Sequence, residues 1–175
     1  MTRFLVAAMA TLVLGGVAGA STTDTYAVKA TLTPRAEVPR PTGVPRGAVG
    51  SFTARAVEVQ GGARARLTWR LTFRRLSGRA AAAHIHAGRA GKAGGVLTAL
   101  CGPCRRGQRG TAMITRAQLR AIRAGRTYVN VHTARNQAGE IRGQLRASRT
   151  AGSGGAPPAP PPTEPPPPTE PPIYP

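Results

Sequence analysis

The sequence predicts an all-β domain, an antiparallel β-sandwich or barrel of about seven or eight strands with one short helix. Three observations point there. The run from Arg64 to Arg74 alternates apolar and polar residues without a break, shorter apolar runs recur between glycines and prolines, and a single capping signature precedes one helical segment. A leader stands before this domain and a proline-rich tail after it, dividing the chain into 1–20, 21–149 and 150–175.

The leader reads as a secretory signal peptide. Arg3 supplies a positive start, Phe4 to Leu14 form a largely apolar run, and Ala18-Gly19-Ala20 offers small residues for cleavage, so the mature chain is expected to begin at Ser21. A membrane anchor would need about 20 continuous apolar residues. Thr11 and the Gly15-Gly16 pair interrupt this run early, and no other stretch is apolar enough to span a bilayer.

The clearest strand is Arg64 to Arg74, where Ala65, Leu67, Trp69, Leu71 and Phe73 alternate with arginine and threonine. A period of two marks an antiparallel strand with one buried and one wet face. Shorter strands are expected at Tyr26 to Leu32, Ala48 to Val59, Ala81 to His86, Val96 to Leu100, Gly110 to Ile114, Thr127 to Thr133 and Glu140 to Leu145. The helix is expected after Thr115, which can cap it, with Gln118 completing a capping box and Gly125 marking the stop. From about Thr150 the composition shifts to Gly, Ser, Ala, Pro, Thr and Glu, and 12 of the 17 prolines lie between Pro157 and Pro175. Such a segment cannot build a core, favours polyproline II, and reads as a disordered spacer or stalk.

Lysine and arginine number 25 against 6 acidic residues, a formal charge of +19, or +18 once Arg3 leaves with the leader. A field of that sign attracts anions, whether nucleic acid, acidic lipid headgroups or wall polymers, and the partner expected for the chain is an extracellular protein or an anionic cell-surface polymer. A specific nucleic-acid partner is not expected. The arginines are scattered, and the domain has few aromatics (Tyr26, Phe52, Trp69, Phe73 and Tyr128) to interleave with them as a stacking platform. The plainer alternative is arginine on solvated strand faces in an arginine-biased sequence, since 23 of the 25 basic residues are Arg.

Cys101 and Cys104 are the only cysteines, and in an oxidising compartment they are expected to form a structural disulfide. Cys101-Gly102-Pro103-Cys104 also spells a redox motif. Redox use, however, needs the first cysteine at a helix N-terminus, and here an apolar strand leads into it.

The three histidines fall in strand-like segments. His84 and His86 are two apart and project from one face, opposite Ala83 and Ile85. His132 shares parity with Tyr128 and Asn130, opposite Val129 and Val131. A hairpin closing around Asn136 would set His132 across from Glu140. His84, His86 and His132 are therefore candidate metal ligands, with Glu140 and Asn130 as candidate outer groups. No cofactor is required by the sequence; the ions that three imidazoles with an open position would take are copper or zinc. Left open is the alternative that these residues only bond neighbouring loops, with His132 and Glu140 or Arg142 forming an ordinary cross-strand pair.

Several ordered motifs carry a family resemblance. Ala82-Ala83-His84-Ile85-His86-Ala87-Gly88, followed by Gly91, Gly94 and Val96, resembles the central signature of the CHRD domain, named for chordin. Tyr128-Val129-Asn130-Val131-His132-Thr133 and Gly139-Glu140-Ile141-Arg142-Gly143-Gln144 resemble its C-terminal signature. Ala36-Glu37-Val38-Pro39 and the segment Gly47 to Phe52 resemble its opening. The resemblance spans about Tyr26 to Ala147 and implies a secreted β-rich binding or structural module of undefined ligand, a role in binding extracellular partners having been proposed for chordin, with no catalytic residues to carry over. The His-x-His strand is also similar to the paired copper ligands of copper/zinc superoxide dismutase. The chain lacks the histidine and aspartate cluster of that enzyme's zinc loop, so enzyme activity is not expected.

Overall fold

A computed structural model describes residues 23–59 and 62–150 of the chain. The leader and nearly all of the tail therefore lie outside the described residues. The elements run β1 (Thr25–Leu32), β2 (Val49–Glu58), β3 (Arg64–Arg74), β4 (Ala80–Ala87), β5 (Val96–Cys101), β6 (Arg109–Thr115), α1 (Arg116–Arg123), β7 (Thr127–Thr133), β8 (Ile141–Gln144) and β9 (Arg146–Thr150). A single 3-10 turn, Pro34–Ala36, follows β1.

The strands form two antiparallel sheets, one of five in the order β6-β3-β2-β1-β9 and one of four in the order β5-β4-β7-β8. They stack as a sandwich. Alternation builds the core between them: Tyr26, Val28 and Leu32 from β1, Phe52 and Ala56 from β2, and Leu67, Trp69 and Leu71 from β3 face Ala83 and Ile85 of β4, Val129 and Val131 of β7 and Ile141 of β8. Burying these side chains at roughly 1.5–3 kcal/mol each drives the stacking. The helix closes one side, burying Leu119 and Ile122. Its ends follow local chemistry: Thr115 accepts from the Gln118 N–H, Gln118 answers with a bond from the Thr115 N–H, and Gly125 takes φ 63° just past the end.

Strand β3 occupies the span its alternation marks, with Ala65, Leu67, Trp69 and Leu71 buried between exposed arginines and threonines. The described residues hold nine strands, one more than the apolar runs mark. The extra one is β9, which pairs with β1 from Thr25↔Thr150 to Lys29↔Arg146 and carries the sheet to Thr150, at the start of the segment assigned to the tail by composition. Only Ala147 of β9 packs against the core. An edge strand written as Arg-Ala-Ser-Arg-Thr has no hydrophobic period to betray it, and its charges suit an edge.

Cys101 at the end of β5 is bonded to Cys104 in the loop that follows. Cys101 sits on a strand and not at a helix start, so the helical setting that redox use of the motif requires is missing. Reduction is expected to cost about 2 kcal/mol or less, because the entropy a crosslink removes from the unfolded chain grows with loop length and this loop is very short. Urea unfolding with and without reductant checks it; a loss above about 4 kcal/mol would contradict a purely local staple.

Candidate functional site

The outer face of the four-stranded sheet collects the polar side chains that the core excludes. In the β4–β7 ladder His84 pairs with Asn130, His86 with Tyr128 and Ala82 with His132. Strand alternation puts Ala83 and Ile85 inside and the two histidines outside, as the sequence parity indicates. Adjacency of β4 and β7 supplies what parity cannot, the distance between strands. The ring centroids lie 5.7 Å apart for His84–His86, 4.9 Å for His84–His132 and 6.0 Å for His86–His132. One potential ligand atom from each ring lies within 4.8 Å of the other two.

Two of the rings are oriented by backbone carbonyls. His132 Nδ1 is 2.8 Å from the Gln137 carbonyl, and His86 Nδ1 is 2.9 Å from the Gly94 carbonyl. A carbonyl only accepts, so each Nδ1 carries the proton and each Nε2 presents a bare lone pair. The His86 Nε2 atom is buried without a partner, while His132 Nε2 lies 3.1 Å from His84 Nδ1, which donates to it. Burial, reinforced by the neighbouring imidazoles, pushes the His84 and His132 pKa values down, favouring neutral rings. Neutral imidazoles clustered this closely are chemically able to hold a soft or borderline cation once His84 moves its proton to Nε2.

Glu140 does not face His132, contrary to the expectation from a simple hairpin. The regular β7–β8 ladder ends at Val131↔Ile141, the Glu140 N–H donates to the Val131 carbonyl at 2.7 Å, and Gly139 before it takes φ 134°. The ladder is displaced where a regular register would have set Glu140 against His132. The carboxylate instead receives the Ser77 N–H (2.6 Å), the Ser77 hydroxyl, the Thr133 hydroxyl (2.6 Å) and the Asn136 amide (3.1 Å). Burial opposes ionisation, but these four donors outweigh it and hold the carboxyl below its ordinary range. Asn130 likewise bonds none of the histidines; its amide donates to the Ala138 carbonyl. Both residues fasten the 134–139 loop, and so reach His132 only through the Gln137 carbonyl.

A matching brace holds the other loop. Arg142, almost fully buried, donates from Nη2 to the Arg89 and Lys92 carbonyls, each at 2.9 Å, and its guanidinium lies 3.3 Å over the Tyr128 ring. The Tyr128 hydroxyl meets the Gly94 backbone, and His86 stacks on the Tyr128 ring at 4.9 Å. Sequence reasoning missed Arg142 as a brace because it is one arginine among 23. Gly94 and Gln137 act through main-chain carbonyls, which no side-chain pattern reveals.

Together the two sheets and this face define an antiparallel β-sandwich module with a braced polar site set into one outer surface. The sequence model of the CHRD domain matches residues 28–145, from within β1 to the residue after β8, and the chain belongs to the CHRD domain family. No curated protein and no solved structure matches it. CHRD domains are typically extracellular, and the Cys101–Cys104 bond is consistent with secretion. No helix among the described residues is long and apolar enough to cross a membrane.

Proposed function

We propose that the protein acts outside the cell as a binding module and that its partner is a linear anionic surface polymer, engaged by the outer face of the five-stranded sheet. One observation carries this. Reading across the strands, Arg146 pairs with Lys29, Lys29 with Thr53, Thr53 with Arg70 and Arg70 with Arg109, and all five are exposed. The row spans about 19 Å at the usual strand spacing. Like charges set directly opposite one another destabilise a sheet, so folding alone gives no reason for two such pairs in one line. A polyanion lying along the row would neutralise them.

The carboxylates offer no competition. Of the four among the described residues, Glu37 and Glu140 are buried, while Asp24 and Glu58 are paired with Arg149 and Arg116. Tyr26, Phe52, Trp69 and Tyr128 are buried and Phe73 packs against the core, so among the described residues this face has no aromatic platform for stacking bases. The partner that fits is read by charge and not by base.

Retention of the mature protein on immobilised polyglutamate and on heparin, measured against salt, tests the row. Counterion release makes such binding fall steeply with salt. A variant carrying Lys29→Gln, Arg70→Gln, Arg109→Gln and Arg146→Gln is expected to flatten the log–log salt slope by about 3, from roughly 0.7–0.9 per contact. A control with Arg35→Gln, Arg40→Gln, Arg89→Gln and Arg106→Gln removes equal charge elsewhere and is expected to change it less. Identical elution of the two variants would show that only net charge matters and sink the assignment of this face.

A further inference from the structure

We propose that His84, His86 and His132 form a binding site for a single copper or zinc ion, held through His84 Nδ1, His86 Nε2 and His132 Nε2. The site lies on the opposite sheet from the basic row and does not depend on it.

Geometry comes first. Ligand nitrogens bound at 2.0–2.1 Å to one tetrahedral or trigonal ion stand about 3.3–3.6 Å apart. Of the proposed ligand atoms, His84 Nδ1 and His132 Nε2 stand 3.1 Å apart, and one nitrogen from each of the three rings lies within 4.8 Å of the others, a cluster of the size such an ion needs. Ring rotations moving atoms by roughly 1 Å would close the site. Coordination also needs little rearrangement of protons. His86 and His132 already direct their protonated Nδ1 at carbonyls, and His84 has only to shift its proton to the other ring nitrogen.

The second observation is the unpartnered lone pair of His86 Nε2, buried in a residue 8% exposed. Buried polar atoms are nearly always paired, and here a chain of bonds holds the ring so that this atom stays bare: Arg142 ties down Arg89 and Lys92, and the Gly94 carbonyl of the same loop fixes Nδ1. An ion would complete it. The carbonyls of Gly94 and Gln137 then play the part that outer hydrogen-bond acceptors play for metal-bound imidazoles, fixing tautomer and orientation.

The donor set selects the ion. Hard cations such as calcium and magnesium require oxygen ligands, and no carboxylate among the described residues joins this group. Imidazole nitrogens suit zinc and copper. His84 and His132 are only half-buried, so a fourth position opens toward solvent for water or an incoming ligand.

These are the only histidines in the chain, so any imidazole-bound ion reports this site alone. The mature full-length protein, stripped with chelator, is titrated separately with zinc(II) and copper(II) by calorimetry while the imidazole signals are followed by NMR. One ion per chain is expected, with all three rings shifting together. His84→Gln and His132→Gln, at half-exposed positions, are expected to lower affinity about 100-fold or more while the metal-free variants still unfold cooperatively. Copper(II) should show nitrogen couplings from three imidazoles in its electron paramagnetic resonance spectrum. Absence of stoichiometric binding by either ion, or equal affinity in the His84→Gln, His132→Gln double variant, would overturn the site.

Discussion

Replacing Glu140 by Gln is expected to destabilise the protein by about 3 kcal/mol at neutral pH, a drop in melting temperature on the order of 10 °C. The carboxylate is fully buried and has two donors from Ser77, one from Thr133 and one from Asn136, all of them neutral. Bonds to a charged acceptor are the stronger kind, and a glutamine would turn an N–H₂ toward groups that themselves donate. The pH dependence has a definite sign. The folded carboxyl has a lowered pKa, so its stabilisation is fully present above the ordinary glutamate value near 4.3 and is lost as pH falls through the folded value. The gap between wild type and Glu140→Gln should therefore narrow in acid. Glu37, whose carboxyl is pushed upward chiefly by burial, is common to both proteins and cancels in the difference. Thermal melts from pH 7 down to pH 3 measure this, and a gap independent of pH would show that the network does not hold an ionised carboxylate.

Phe52→Ala is expected to cost about 3–5 kcal/mol. The ring is fully buried at the centre of the five-stranded sheet and stacks on Trp69 with centroids 6.4 Å apart, so its removal loses transfer energy and leaves a cavity between the sheets. Phe52→Leu, closer in volume, should cost less than about 2 kcal/mol. Urea denaturation reads both as shifts in midpoint at constant m. A loss below about 1 kcal/mol for the alanine variant would mean that Phe52 is not a core residue.

What the sequence makes legible is set by how local its cause is. The span of β3, the inner placement of Val129 and Val131, the caps of α1 and the shared face of His84 and His86 all follow from neighbours within a few residues. Strand order does not, and the proximity of His132 to the other histidines rests on β4 lying beside β7. Non-local pairing is also why β9 was invisible: Arg146 to Thr150 becomes a strand only because the free edge of β1 accepts it. At Glu140 local pattern misled, because the displaced ladder beside Gly139 breaks the alternation on which parity depends. The opposed charges of Arg146 with Lys29 and Arg70 with Arg109 likewise emerge only with the register.

The braced histidine face rests on two tautomers, and long-range ¹⁵N–¹H correlation of the imidazole nitrogens in the metal-free protein above pH 7 reads them directly. The bonds to the Gly94 and Gln137 carbonyls predict that His86 and His132 are protonated at Nδ1 and bare at Nε2. Signals showing both rings protonated at Nε2 would mean that the carbonyls do not hold them and that no converging set of lone pairs exists.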